Sequence, residues 1–587
     1  KMSDMDGVSE CKDLVKQAYA WGMPAIAITD HGNIQAFPDA EHVRMDMLSA
    51  ENAKRKENGL EPIDAQKFFK VIYGVECYLV DDMKPVAFLG TDSMPDTRIE
   101  SCKYVVFDIE TTGFNSEKDS IIEIGAYKVE VKRQKKDGAA DGDPEILTGT
   151  ILDEFSELID PKRPIPYRIT QLTHISDDMV EGKDTIDKVL PRFLEFCRGA
   201  VLVGHNVSFD CGFIKSKCHD AGLPFDYTWV DTVGIARAEL PGHANYRLDT
   251  VAKELGVVLD QHHRGDQDAY CTAEIFVRLL PMLDKDNVFT FGDLNKLGES
   301  NPEVISHLRM NHCILLAKNS TGRTNLYRMI SESNLRYFAR KPRIPKSLLE
   351  KRREGIIVGS ACVMGELMQA IIDDRSEEEI AGIVRFYDYL EIQPIANNRF
   401  LIDEVNKDGE KRFPAFNTEE DLISLNKRVV KLGEQFGKTV CATCDVHFKD
   451  PEDQIYRTIL QDRMGMTDEA PAPLFLRTTD EMMQEFSYLG PKKCEEVVIT
   501  NTQKIANMIE AISPVRPDKC PPVIPHSDET LREICYRRAH ELYGDNLPEI
   551  VSNRLEKELS SIIKNGYSVM YIIAQKLVWK SNEDGYL

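Results

Sequence analysis

The sequence has no apolar run of the ~18 residues that a membrane-spanning helix needs, and no basic start followed by an apolar stretch that would mark a secretory leader. It lacks a disulfide framework: fourteen cysteines among 587 residues are scattered rather than regularly spaced, which fits a reducing, cytoplasmic setting. Cys441 and Cys444 form a lone C-x-x-C with no partner pair, which argues against a zinc ribbon and for a piece of strand. No internal repeat or low-complexity tract is visible. Positive charge is also short, with 73 Lys and Arg against 97 Asp and Glu, a net charge of −24. Taken alone, that balance argues against a polyanionic partner. Carboxylates gathered around divalent ions reverse the local sign, however, so the inference is weak. Basic clusters occur at 132–136, 340–346 and 350–355, and most read as solvated charged faces.

What is present is an ordinary globular composition, 42% hydrophobic, long enough for roughly three to five domains. The chain opens on Lys1 and stops at Leu587 inside a continuing pattern, so it is expected to be part of a longer protein. A helical pattern from Ser9, with Leu14, Val15, Ala18 and Trp21 on one side, stops at Gly22 and Pro24. Strands follow at 25–32 and 71–82, giving an α/β character. Polar, Pro and Gly residues at 83–103 read as a linker, and 284–303 as a second. Between them 104–283 reads as one unit. Strand and helix alternate again over 304–452, and beyond Pro451 the pattern is mainly helical, including 554–566 with a Gly stop.

The stretch "YVVFDIETTGFN" (104–115) places Asp108 and Glu110 one residue apart on a strand, hence on one face. Like charges held that close, and buried, require a positive partner. "LVGHNVSFDCGFI" (202–214) adds Asp210 early in a helix. "HHRGDQDAYCTAEIF" adds Asp268 on another, five residues after His263. Four carboxylates suffice for two Mg²⁺ or Mn²⁺ ions, and a histidine titrates where it can accept a proton from water. Singly, each has an ordinary reading as an exposed strand acid, a helix-start acid or a surface histidine. Jointly, the order, element types and H-x-x-x-x-D spacing favour catalysis. The unit 104–283 resembles the DEDDh-type 3′→5′ exonucleases through "FDIETTG", "GHNVSFD" and "HRGDQDA". The resemblance implies a ribonuclease H-like fold, Asp108, Glu110, Asp210 and Asp268 as metal ligands, and His263 as general base.

A second set flanks the first. Asp6, His31 and Glu76 precede it, and His312, Cys362, Asp445 and His447 follow it, all at or near predicted strand ends. Site residues collect at one end of the strands in barrel-like α/β folds, and D-x-H suits a transition metal. Together they resemble the PHP (polymerase and histidinol phosphatase) domain. The whole arrangement is similar to the PolC-type family of bacterial DNA polymerase III α subunits. The resemblance implies a split βα barrel (1–82 and 304–452), an inserted exonuclease, a helical region (453–547) and the start of a polymerase palm (548–587). It also implies Zn²⁺ or Mn²⁺ in the PHP site, DNA as substrate, and a sliding clamp and replisome proteins as partners. By itself the chain is expected to proofread but not to polymerise. A PHP phosphoesterase, or a PHP scaffold carrying an RNA-trimming exonuclease, is the alternative. The family's H-x-H metal motif would fall before Lys1.

Overall fold

The computed structural model describes residues 6–135, 144–243, 245–258, 264–299, 301–405, 411–463, 471–516 and 521–586. The chain divides into two compact units, 1–514 and 515–587.

The first unit contains two sheets. One takes β1 (Ala25–Ile28) and β2 (Lys70–Val80) from the start of the chain. It takes β9 (Met310–Ala317), β10 (Phe338–Ala339), β11 (Lys341–Pro345), β12 (Ile356–Gly359), β13 (Tyr389–Ile392) and β14 (Thr439–Ala442) from the later part. The strand order is β10-β11-β2-β9-β12-β13-β14, with β1 also on β2. The pairs are parallel except for β9, which runs antiparallel to β2 and β12, and the short β10–β11 hairpin. β2 is buried along almost its whole length, as expected of a mainly parallel strand covered on both faces. Among the described residues no pairing joins β14 to β1. The sheet is a half-barrel.

Register explains how the second sheet is inserted. Gly74–Val80 pairs residue by residue with Leu316–Met310, so the chain leaves the half-barrel after β2 and returns beside it at β9. The excursion builds a six-stranded sheet from β3 (Ala87–Phe88), β4 (Lys103–Thr111), β5 (Ile121–Gln134), β6 (Ile146–Leu158), β7 (Ala200–Gly204) and β8 (Trp229–Asp231), in the order β3-β8-β7-β4-β5-β6. Separate apolar clusters cover its two faces. One holds the helix Gly265–Lys285, whose Ile275, Leu279 and Leu283 are fully buried.

The two expected linkers are built into this sheet. Within 83–103, Ala87 and Phe88 pair with Val230 and Trp229, and Phe88 stacks on Trp229 at 5.2 Å. Within 284–303, Phe291 and Leu294 are buried in the same core. Asn295 Nδ2 donates to the Ala87 carbonyl (2.8 Å), and its Oδ1 accepts from the Ala87 N–H (2.7 Å). A two-residue strand is too short to show a period of two in the sequence. Trp21 also departs from expectation. It is half exposed at the end of helix Cys11–Ala20, whereas Val15 and Ala18 are buried.

The second unit packs helices Ser527–Tyr543, Glu549–Lys564 and Ser568–Glu583 around Leu531, Leu559 and Ile572. Gly566, at φ +72°, follows the middle helix where the sequence signals a stop. Among the described residues no helix is long and apolar enough to cross a membrane.

Candidate active site and metal centres

Asp108 and Glu110 lie on one face of β4, and single ligand atoms of Asp108, Glu110 and Asp268 come within 4.8 Å of one another. Asp210, buried in the first turn of helix Ser208–Asp220, accepts the backbone N–H of Ile109, between the two strand acids, at 3.2 Å. Three of the four sequence-derived acids therefore meet, and the fourth docks on the strand between two of them. Burial and repulsion from Asp210, Glu110 and Asp268 push the Asp108 carboxyl well above the usual range. Burial, then Asp268, Glu123 and Asp210, raise Glu110 to about 8. Burial raises Asp210 to about 8, against the Ile109 hydrogen bond. His263 lies outside the described residues.

The approach of Asp268 depends on a glycine. Gly125 on β5 sits opposite Asp108. A Cβ there would lie 2.3 Å from the Gly265 carbonyl oxygen and 2.5 Å from the Asp266 backbone, so only a bare backbone lets this helix start so low on the sheet. Glu123, opposite Glu110 and 1% exposed, fastens the same helix. It accepts the Gly265 N–H at 2.8 Å and pairs with Arg264 through two contacts of 2.9 and 3.3 Å. Sequence reading missed Glu123. Its signal was a lone acid inside the apolar run Ile121-Ile122-Glu123-Ile124.

The second set also converges. The Glu76 carboxylate accepts from His312 Nδ1 at 2.6 Å and lies 3.6 Å from His31 Nδ1. The Cys362 sulfur is 3.3 Å from His312 Nδ1 and 3.6 Å from Glu76. On the other side of His31, Asp6 accepts from His447 Nε2 at 3.0 Å and is 3.8 Å from His31 Nε2. Asp445 is 3.6 Å from His447 Nδ1. Not all of these residues sit at strand ends. Glu76 is interior to β2, and His312 is the third residue of β9, opposite Tyr78, where it comes beside Glu76 because β9 runs antiparallel. Arg457, unforeseen, grips Asp6 with two contacts of 2.8 and 2.9 Å.

Here opposite charges compensate. Burial opposes ionisation of Glu76, yet the His312 hydrogen bond and the neighbouring imidazoles hold its carboxyl down at about 2. Against burial, Asp6 and Asp445 lift His447 to about 9. Asp6 is held low by His447 and Arg457 despite its burial. Burial raises Asp445 and drives the Cys362 thiol well up.

An "Exonuclease" family matches residues 105–276, a "PHP domain" family 233–395, and a "Bacterial DNA polymerase III alpha NTPase domain" family 529–587. The first two matches overlap over 233–276, where the helices pack on the six-stranded sheet. The chain is 46% identical to "DNA polymerase III PolC-type" of Clostridium perfringens, over 100% of this chain and 37% of that protein. It is 43% identical to the one from Caldanaerobacter subterraneus (100% and 38%) and 39% identical to the one from Bacillus subtilis (100% and 38%). The chain spans less than two-fifths of the length of these curated relatives. With exonuclease, PHP and polymerase III α segments in one continuous match, the chain is similar over its whole length to PolC-type DNA polymerase III proteins.

Proposed function

We propose that residues 104–283 are a 3′→5′ proofreading exonuclease acting on the 3′ end of DNA. In the complete protein it would serve a cytoplasmic replicative DNA polymerase working with a sliding clamp and other replisome proteins. The observation that carries this reading is the convergence of Asp108, Glu110 and Asp268, with Asp210 docked on Ile109, inside the exonuclease match.

The donor set fits divalent ions. It is all carboxylate oxygen, the chemistry of Mg²⁺ and Mn²⁺, and its members oppose each other's ionisation without a cation. Asp108, Glu110, Asp210 and Asp268 would hold two such ions. When bound, these supply an activated water and neutralise charge on the scissile phosphate. Asp210, fixed by the Ile109 N–H, keeps a carboxylate against β4. Glu123 and Arg264 hold the helix that presents Asp268. His263, one residue before Arg264, would take the proton from the attacking water at its ring nitrogen.

The second cluster supports a split PHP-type domain, 1–82 with 304–452, in which Asp6, His31, Glu76, His312, Cys362, Asp445 and His447 would hold Zn²⁺ or Mn²⁺. Mixed nitrogen, oxygen and sulfur donors suit such ions. Pairing of β2 with β9 supports the split.

The test is digestion of a 3′-mismatched primer–template and its RNA counterpart, with and without Mg²⁺. Removal of the mismatched deoxynucleotide only with Mg²⁺ is expected. Metal-independent digestion, or a preference for the RNA, would contradict the reading.

A further inference from the structure

The second cluster forms part of the wall of a cavity of about 500 Å³, within the ~300–1,000 Å³ range of small-molecule sites. Ile26, Ile72, Ile314 and Leu316 give it an apolar side, while His31, Asp445 and His447 face it from the cluster. Arg477 lines the same space and belongs to neither ligand set.

Arg477 is only 3% exposed. Its guanidinium lies over the Phe475 ring at 4.2 Å. Nε is 3.4 Å from Glu485 Oε1, but among the described residues neither Nε nor Nη1 has a hydrogen-bond partner. Arginine does not shed its charge in proteins, so a buried guanidinium with two unmet donors is costly. Nε faces Glu485, while Nη1 shares the end of the planar guanidinium with Nη2, a pair that matches two oxygens of one oxyanion. Thr443, Thr478 and Thr479 line the cavity nearby and offer hydroxyl partners.

A bare anion would leave the apolar side with nothing to cover it. A ligand with a phosphate at one end and a planar, weakly polar body fits both sides. Hydrolysis of a 3′-terminal phosphodiester releases that class of molecule. On the reading above, in which the cluster holds divalent ions and the exonuclease releases mononucleotides, we propose that this cavity is a nucleoside monophosphate site. Its phosphate lies between Arg477 and the cluster, and its sugar and base lie along Ile72, Ile314 and Leu316.

The test is equilibrium dialysis of labelled dAMP against the 587-residue chain carrying Asp108→Ala and Asp268→Ala, which removes the exonuclease's own affinity for mononucleotides. Mn²⁺ is counted in the same samples. One dAMP per chain is expected, displaced by excess inorganic phosphate and weakened at least tenfold by Arg477→Gln with Mn²⁺ retained. Arg477→Lys, which keeps the charge but loses the fork, should fall between. Should Arg477→Gln not fold, hydrogen exchange on the chain with Arg477 intact decides, with dAMP slowing exchange at 443–447 and 474–482. Unchanged binding in folded Arg477→Gln, absent protection of those segments, or phosphate binding without dAMP binding would each overturn the nucleotide site. Bound Mn²⁺ without dAMP overturns the site alone, whereas Arg477-dependent dAMP binding without Mn²⁺ overturns only the metal reading of the cluster.

Discussion

In the exonuclease cluster three carboxylates face one another and a fourth docks on the same strand, whereas the PHP cluster interleaves three carboxylates with three imidazoles, a thiol and the guanidinium of Arg457. Both are buried and acidic, yet they handle charge in opposite ways. In the first, burial and mutual repulsion raise Asp108, and lift Glu110 and Asp210 to about 8. In the second, imidazoles hold Glu76 at about 2 and carboxylates lift His447 to about 9. A site that neutralises itself can persist as a scaffold without ions. One built only of acids stays ionised at neutral pH only if cations join it.

The largest effect that would sharpen this contrast is Glu110→Ala. Removing one ligand from an all-carboxylate set should lower Mg²⁺-dependent digestion of mismatched DNA by several orders of magnitude in single-turnover assays. His263→Ala should cost ~10²–10⁴-fold while leaving the Mn²⁺ count of the exonuclease unchanged. Loss of Mn²⁺ in a folded variant would make His263 a ligand instead. Glu123→Gln keeps an acceptor for the Gly265 N–H but removes the charge facing Arg264. A supporting residue of this kind typically changes metal affinity or activity ~10–100-fold. A Mg²⁺ titration should show the loss mainly as a weaker Mg²⁺ requirement curve, shifted to higher concentration.

The smallest effect is on stability against pH. A carboxyl raised from 4.5 to about 8, as for Glu110, keeps more protons folded than unfolded between those values. Its contribution is complete below pH 4.5 and is lost as pH rises through about 8. Glu76, depressed to about 2, contributes above 4.5 and loses that contribution as pH falls through about 2. His447, raised from 6.5 to about 9, contributes below 6.5 and loses it as pH rises through about 9. In EDTA, melting followed by hydrogen exchange should therefore show residues 104–111 and 265–272 losing protection between pH 5 and 8. Protection around 73–80 should change less. Mg²⁺ should reverse the loss in the first region, and equal losses in both would break the comparison.

Legibility differed along the same line. The four exonuclease acids could be picked out in the sequence because each lies in a compact motif with its own strand or helix signal; three of them meet and Asp210 docks on Ile109. Glu123 was hidden because its role depends on register: only the pairing of β4 with β5 places it opposite Glu110. The PHP residues could be gathered from short motifs on either side of the insertion. The antiparallel course of β9, which carries His312 beside Glu76, had no sequence signature, and neither did Arg457, which reaches Asp6 from a helix 451 residues away. The segments at 83–103 and 284–303 read as linkers because their contributions are two-residue and four-residue elements, too short for a periodic pattern.

The most direct test of the account compares two single variants in one assay, Asp108→Ala and His447→Ala, by single-turnover removal of a mismatched 3′ nucleotide in Mg²⁺. The account predicts that Asp108→Ala abolishes removal while folded His447→Ala stays within a few-fold of the unaltered chain. Removal that survives Asp108→Ala but is lost with His447→Ala would place the chemistry in the PHP cluster and contradict it.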